Sequence, residues 1–178
     1  PVPCPAPHRV MIAIVDYGMG NLRSVSKALE CVGGEVCVTE DPAAIRRADK
    51  LVLPGVGASP AAMRELMRRR LVEPITEAVA KDTPYLGICL GLQLLFERSE
   101  EGEGARGLGV LEGIVRRFPA QAALKIPHMG WNQVRRQTAE GGKREDCPLL
   151  KGIPEESFVY FVHSYYAEPA DRGVVALD

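Results

Sequence analysis

A cysteine set between glycines, Gly87-Ile88-Cys89-Leu90-Gly91, is the segment of this chain best suited to covalent chemistry. The apolar run Pro84-Tyr85-Leu86 precedes it, and a helical pattern from Gly91 to Glu97 follows. A strand, a tight turn and a helix in that order form a nucleophile elbow, with cysteine in the place of serine. The glycines let the backbone bend and let strand and helix pack closely around the bend. The positive end of a helix beside the sulfur favours the thiolate, the nucleophilic form. The competing reading is a structural thiol, since cysteine is among the most buried residue types.

A tetrahedral adduct on Cys89 needs hydrogen-bond donors for its oxyanion. The N–H of Leu90 is one candidate. A second lies in Pro54-Gly55-Val56-Gly57, where glycines on both sides free the Val56 peptide to present its N–H to an anion. Alone, that segment reads as an ordinary turn before a helix; beside a cysteine elbow it reads as the second half of an oxyanion hole. A third turn, Gly18-Met19-Gly20, resembles a dinucleotide fingerprint, and Glu40 follows at a suitable distance. Arg23 occupies the third glycine position, however, and a side chain there blocks the close packing the fingerprint requires.

A cysteine nucleophile normally works with a base held by a third group. The histidines are His8, His128 and His163. His8 sits in a proline-rich leader. His128 lies in Ile126-Pro127-His128-Met129-Gly130-Trp131, and His163 ends the apolar run Phe161-Val162. By position His163 is the first candidate, with a structural role as the alternative for either ring.

These residues need a scaffold, and the chain alternates strand and helix patterns. Val10 to Val15, Glu35 to Thr39, Lys50 to Leu53 and the elbow strand read as buried strands. Asn21 caps a helix in which Leu22, Val25, Leu29 and Val32 recur at helical spacing, and Gly33-Gly34 end it. Asp41-Pro42 opens a short helix and Ser59-Pro60 caps another. Ile75 and Val79 mark a further one. Such alternation predicts a three-layer α/β fold, a largely parallel sheet flanked by helices, with ligands at the carboxyl ends of the strands. Beyond the charged, glycine-rich loop Ser99 to Gly107, strand candidates at Gly113 to Phe118, Trp131 to Arg135, Phe158 to Val162 and Val174 to Leu177 predict antiparallel additions.

The 178 residues suffice for one domain with a sizeable core. A net charge of −1 gives no field that would draw nucleic acid or an anionic membrane. Arg68-Arg69-Arg70 reads as a solvated helix end. Five cysteines with no CxxC spacing suggest neither a disulfide framework nor a zinc site, and point to a reducing, cytoplasmic setting. No metal or other cofactor is expected. Residues 1–9 read as a disordered leader, with Met11 a plausible natural start, and residues 10–178 as a single domain.

Taken together, Gly87 to Gln93 and Pro54 to Gly57 resemble the class I (triad-type) glutamine amidotransferases. Three further segments, Asp16 to Leu22, Pro127 to Asn132 and Phe161 to Tyr165, are similar to the glutaminase subunits of imidazole glycerol phosphate synthase. The resemblance runs from about Met11 to the last residue, and implies a flavodoxin-like sheet. It makes Cys89 the nucleophile toward the glutamine side-chain amide, with oxyanion donors at Val56 and Leu90. Gly55, Gly57, Gln93, Ser164 and Tyr165 would hold L-glutamine. The implied partner is a barrel-shaped cyclase subunit that receives ammonia in histidine biosynthesis, in a heterodimer. Asn21, Met129, Trp131, Tyr160 and His163 match positions facing it, which moves His163 from base to interface.

The family's catalytic histidine and glutamate belong to a Phe-His-Pro-Glu type motif, and none occurs here. The expectation is a C-terminally truncated domain, inactive as written, from an active parent, with one edge of its sheet left open. Other readings are a non-catalytic binding module, an amidotransferase serving another acceptor, and a cysteine hydrolase or redox sensor.

Overall fold

The computed structural model describes residues 10–120, 125–136 and 150–171. Its centre is a parallel sheet of β1 (Met11–Val15), β2 (Glu35–Thr39), β3 (Lys50–Gly55) and β4 (Tyr85–Cys89), in the order β2-β1-β3-β4. The order reverses direction between β1 and β3, and in such sheets the crevice at the reversal is the usual ligand site. Connecting these strands are α1 (Leu22–Cys31), α2 (Pro42–Arg47), α3 (Ser59–Arg68) and α4 (Val72–Ala80). Right-handed crossovers place α1 on one face and α2, α3 and α4 on the other.

The side chains follow from that arrangement. Ala13, Val15, Leu51 and Leu53 share one sheet face and pack with Ile45, Leu66 and Ile75 from the helices, all buried. Asp41 caps α2 with both carboxylate oxygens, accepting from Ala43 N at 2.9 Å and Ala44 N at 3.3 Å. Asn21 caps α1 through Ser24 N at 3.2 Å. Ser59 does not cap α3 as expected: it is the first helical residue, and its N–H donates to the Glu101 carboxylate at 2.7 Å. Among the described residues β4 is an edge strand, with Leu86 and Ile88 exposed on its open face.

The predicted helix from Gly91 to Glu97 is cut short. α5 (Leu90–Gln93) is one turn, and Phe96 to Ser99 form β5 instead. The reason is a distant partner: β5 pairs parallel with β7 (Leu111–Arg117), and that ladder overrides local helical preference. The long dipole expected beside Cys89 is therefore replaced by the N–H groups of a single turn. β6 (Ala105–Arg106) and β10 (Tyr165–Pro169) complete this second sheet, and neither was expected.

A third sheet is the antiparallel pair β8 (His128–Gln133) and β9 (Phe158–His163), in a register that sets His128 opposite His163 and Trp131 opposite Tyr160. Strand β8 begins and ends earlier than the predicted Trp131 to Arg135. The predicted leader at residues 1–9 and the strand at Val174 to Leu177 lie outside the described residues. Contrary to the cysteine pattern, Cys37 is disulfide-bonded, while Cys31 and Cys89 are free thiols. No described helix is long and apolar enough to cross a membrane.

Candidate active site

Cys89 is the last residue of β4, and its backbone sits at φ +54°, ψ −112°. A positive φ in a residue with a Cβ costs about 1–3 kcal/mol and persists only where the surroundings impose it. Here the neighbouring glycines impose it. A Cβ at Gly91 would lie 1.7 Å from the Leu53 carbonyl oxygen, and one at Gly87 would lie 2.5 Å from Leu92 N. The elbow is thus wedged between its own strand and β3, and only hydrogen at those positions permits the contact. Leu90 is buried beneath it, and Cys89 itself is exposed.

The turn after β3 meets the elbow directly, because Gly55 pairs in register with Cys89. Gly57 adopts φ +88°, a conformation that favours glycine. Val56 between them is 55% exposed although Gly55 is buried, so their shared peptide runs from the core to the surface.

A cavity of about 380 Å³ opens at this junction. Val56, Gly57, Cys89, Leu90 and Gln93 line one side, and Ser164 and Tyr165 line another. The two walls are tied by the Gln93 amide, whose Nε2 donates to the Tyr165 carbonyl at 3.3 Å. All the residues named for nucleophile, oxyanion and substrate therefore converge, apart from Gly55, which lies behind Val56.

His163 also lines the cavity. Its Nδ1–H donates to the Tyr165 carbonyl at 2.9 Å, which leaves Nε2 as the acceptor of the neutral ring. Phe118 packs edge-on against it at 4.9 Å and His128 at 5.5 Å. Its ring is held by these contacts. The remaining positions matched to a partner lie on open surface. Met129 is 61% exposed, Trp131 64% and Tyr160 51%, with Trp131 and Tyr160 stacked edge-to-face at 5.4 Å. Asn21 is exposed as well, its side-chain oxygen engaged in the α1 cap.

Two functional candidates escaped sequence reasoning. Glu101 lines the same cavity while its carboxylate holds the start of α3. Sequence placed it in a charged loop, where a carboxylate reads as solvated, and nothing local signals a contact 42 residues away. Tyr17 ends at the underside of the elbow. Burial, and secondarily the neighbouring Cys89, pushes its phenol up to about 12. Tyr85, whose hydroxyl donates to the Gly91 carbonyl at 2.8 Å, is likewise raised by burial. Among the described residues, no cluster of histidine, cysteine or carboxylate side chains could hold a metal ion.

The family model for class-I glutamine amidotransferases matches residues 13–177. The imidazole glycerol phosphate synthase subunit HisH of Synechococcus elongatus is 51% identical over 165 residues, which covers 93% of this chain and 73% of that relative. Its counterpart from Bacillus cereus is 52% identical over 164 residues, covering 92% of this chain and 74% of the relative. A crystal structure described as a glutamine amidotransferase superposes with a TM-score of 0.69 at 18% identity, over 93% of this chain and 78% of that one.

Proposed function

We propose, from the premise that this chain belongs to the class I glutamine amidotransferases, that it is the glutaminase subunit of an imidazole glycerol phosphate synthase in histidine biosynthesis. The observation that carries the reading is Cys89, held at positive φ on the wall of a cavity it shares with Val56 and Leu90.

The reaction follows from that geometry. The Cys89 thiolate adds to the side-chain amide carbon of L-glutamine. The carbonyl π electrons move to oxygen, and the N–H groups of Val56 and Leu90 donate hydrogen bonds to the resulting oxyanion. Collapse breaks the C–N bond, and the nitrogen leaves as ammonia after taking up a proton. The resulting glutamyl thioester is hydrolysed by water to glutamate, which restores the thiol. Around the substrate, Gly55 and Gly57 shape the oxyanion turn, and Gln93, Ser164 and Tyr165 supply polar walls. The Glu101 carboxylate is a charge complement for the α-ammonium group. No cofactor is needed.

Ammonia then passes to a cyclase partner in a cytoplasmic heterodimer. Met129, Trp131 and Tyr160 form an exposed apolar face suited to such a partner, and Asn21 and His163 are the other positions the resemblance assigns to it. The 178 residues contain no Phe-His-Pro-Glu type motif. The reading therefore assigns nucleophile, oxyanion hole and pocket, and names no base.

The protein, mixed with a cyclase subunit, is the material for the test. Ammonia release from glutamine is expected to rise on adding the cyclase. Cys89→Ala should abolish it, by on the order of 10⁴-fold or more, while the complex still forms. Turnover that survives Cys89→Ala overturns the assignment. Failure to pull down the cyclase assigns the glutaminase to another acceptor.

A further inference from the structure

Two tyrosine hydroxyls flank the elbow, and only one has a partner among the described residues. Tyr85 donates to the Gly91 carbonyl at 2.8 Å and so holds the turn from the β4 side. Tyr17 is fully buried, and its hydroxyl has no hydrogen-bond partner among the described residues. A buried donor without an acceptor is destabilising, and phenylalanine would fill the same space without that cost. At the catalytic end of a sheet, such a group points to a state of the protein in which an acceptor arrives.

The position of the hydroxyl identifies the acceptor. A Cβ at Gly55 would lie 2.7 Å from the Tyr17 oxygen and 3.0 Å from Gly91 N. The hydroxyl thus fills the niche left by the missing side chain of Gly55, at the junction of oxyanion turn and elbow. The peptide joining buried Gly55 to exposed Val56 is planar and trans, so its N–H and C=O point in opposite directions. Turning the Val56 N–H into the cavity turns the Gly55 carbonyl toward the buried side, where the Tyr17 hydroxyl lies.

We propose that Tyr17 is a positioning residue for the oxyanion hole: its hydroxyl donates to the Gly55 carbonyl in the substrate-loaded site and so holds the Val56 N–H on the oxyanion. The inference rests on Val56 being an oxyanion donor, as in the function proposed above. The phenol, pushed up to about 12 by burial, remains protonated and able to donate throughout the neutral range. Gly55 is the necessary counterpart, since any side chain there would displace the hydroxyl.

The experiment uses the protein in complex with its cyclase, comparing wild type, Tyr17→Phe and Cys89→Ala. Tyr17→Phe should lower kcat for glutamine about ten- to hundredfold with KM unchanged, because an interaction formed with the oxyanion is missing. Its thermal unfolding temperature should stay the same or rise. Stopped-flow measurement should show slower thioester formation with unaltered glutamine binding. Wild-type kcat in Tyr17→Phe overturns the inference and leaves the glutaminase reading intact. A lower kcat accompanied by a lower unfolding temperature also overturns it, as a packing effect. If wild type itself releases no ammonia, or if Cys89→Ala still does, the glutaminase reading fails and the inference with it.

Discussion

The elbow and the β8–β9 hairpin use apolar residues in opposite ways. Around Cys89, Leu53, Leu90 and Leu94 are buried, and glycines bring backbones into contact that no side chain would allow. On the hairpin, Met129, Trp131, Phe158 and Tyr160 each remain more than half exposed. The first region is held by contacts within the chain's own fold. The second carries a contiguous apolar surface that the chain leaves open, as surfaces that bind partners do. The comparison separates two arrangements: the elbow is fixed by the chain's own contacts, and the hairpin presents an apolar surface that contributes little to the fold.

The comparison is broken most severely by Gly91→Ala. The added Cβ would meet the Leu53 carbonyl at 1.7 Å, and backbone cannot move aside cheaply. A loss upwards of ~4 kcal/mol is expected, since few other changes force strand and elbow apart. Thermal unfolding checks it, and a stable Gly91→Ala protein would show that the elbow is not internally fixed.

Trp131→Ala probes the opposite region. Its ring is 64% exposed and, among the described residues, stacks on Tyr160 alone, so the unfolding temperature of the uncomplexed protein should barely change. Affinity for the cyclase should fall by about 2 kcal/mol, roughly thirtyfold in Kd, as for other aromatic interface anchors. Titration calorimetry measures the second quantity. A large loss of stability with unchanged affinity would make the hairpin part of the core instead.

The same division explains what was legible in the sequence. Gly87 to Gly91 could be read because an elbow is made by consecutive residues, and its strained centre and glycine flanks are present as predicted. The parallel sheet was legible from the alternation of strand and helix patterns. The short charged strand Phe96 to Ser99 was not, because its partner, Leu111 to Arg117, is supplied by tertiary pairing and not by its own pattern. Ser59 looked like a cap from its type and place. Only the fold shows that Glu101, 42 residues away, takes that part and also faces the cavity. Tyr17 reads as one residue of the segment Asp16 to Leu22 until its hydroxyl is found without a partner among the described residues.

Asn21 gives the smallest effect and the finest discrimination, because the fold uses one end of its side chain and the proposed interface the other. Its Oδ1 accepts from Ser24 N and so starts α1, beside the central sheet. Its amide NH₂ is the group left to meet a partner, where the resemblance places this residue. Asn21→Ala removes both contributions: about 1 kcal/mol of stability, the usual worth of an N-cap, and part of the affinity for the cyclase. Asn21→Asp retains an accepting oxygen at the helix start, where a negative charge is also favourable, and removes only the NH₂ donor. It should therefore match wild type in thermal unfolding while binding the cyclase more weakly. Equal affinity in both variants and wild type would confine Asn21 to the fold and draw the boundary between the two regions on the hairpin side of α1.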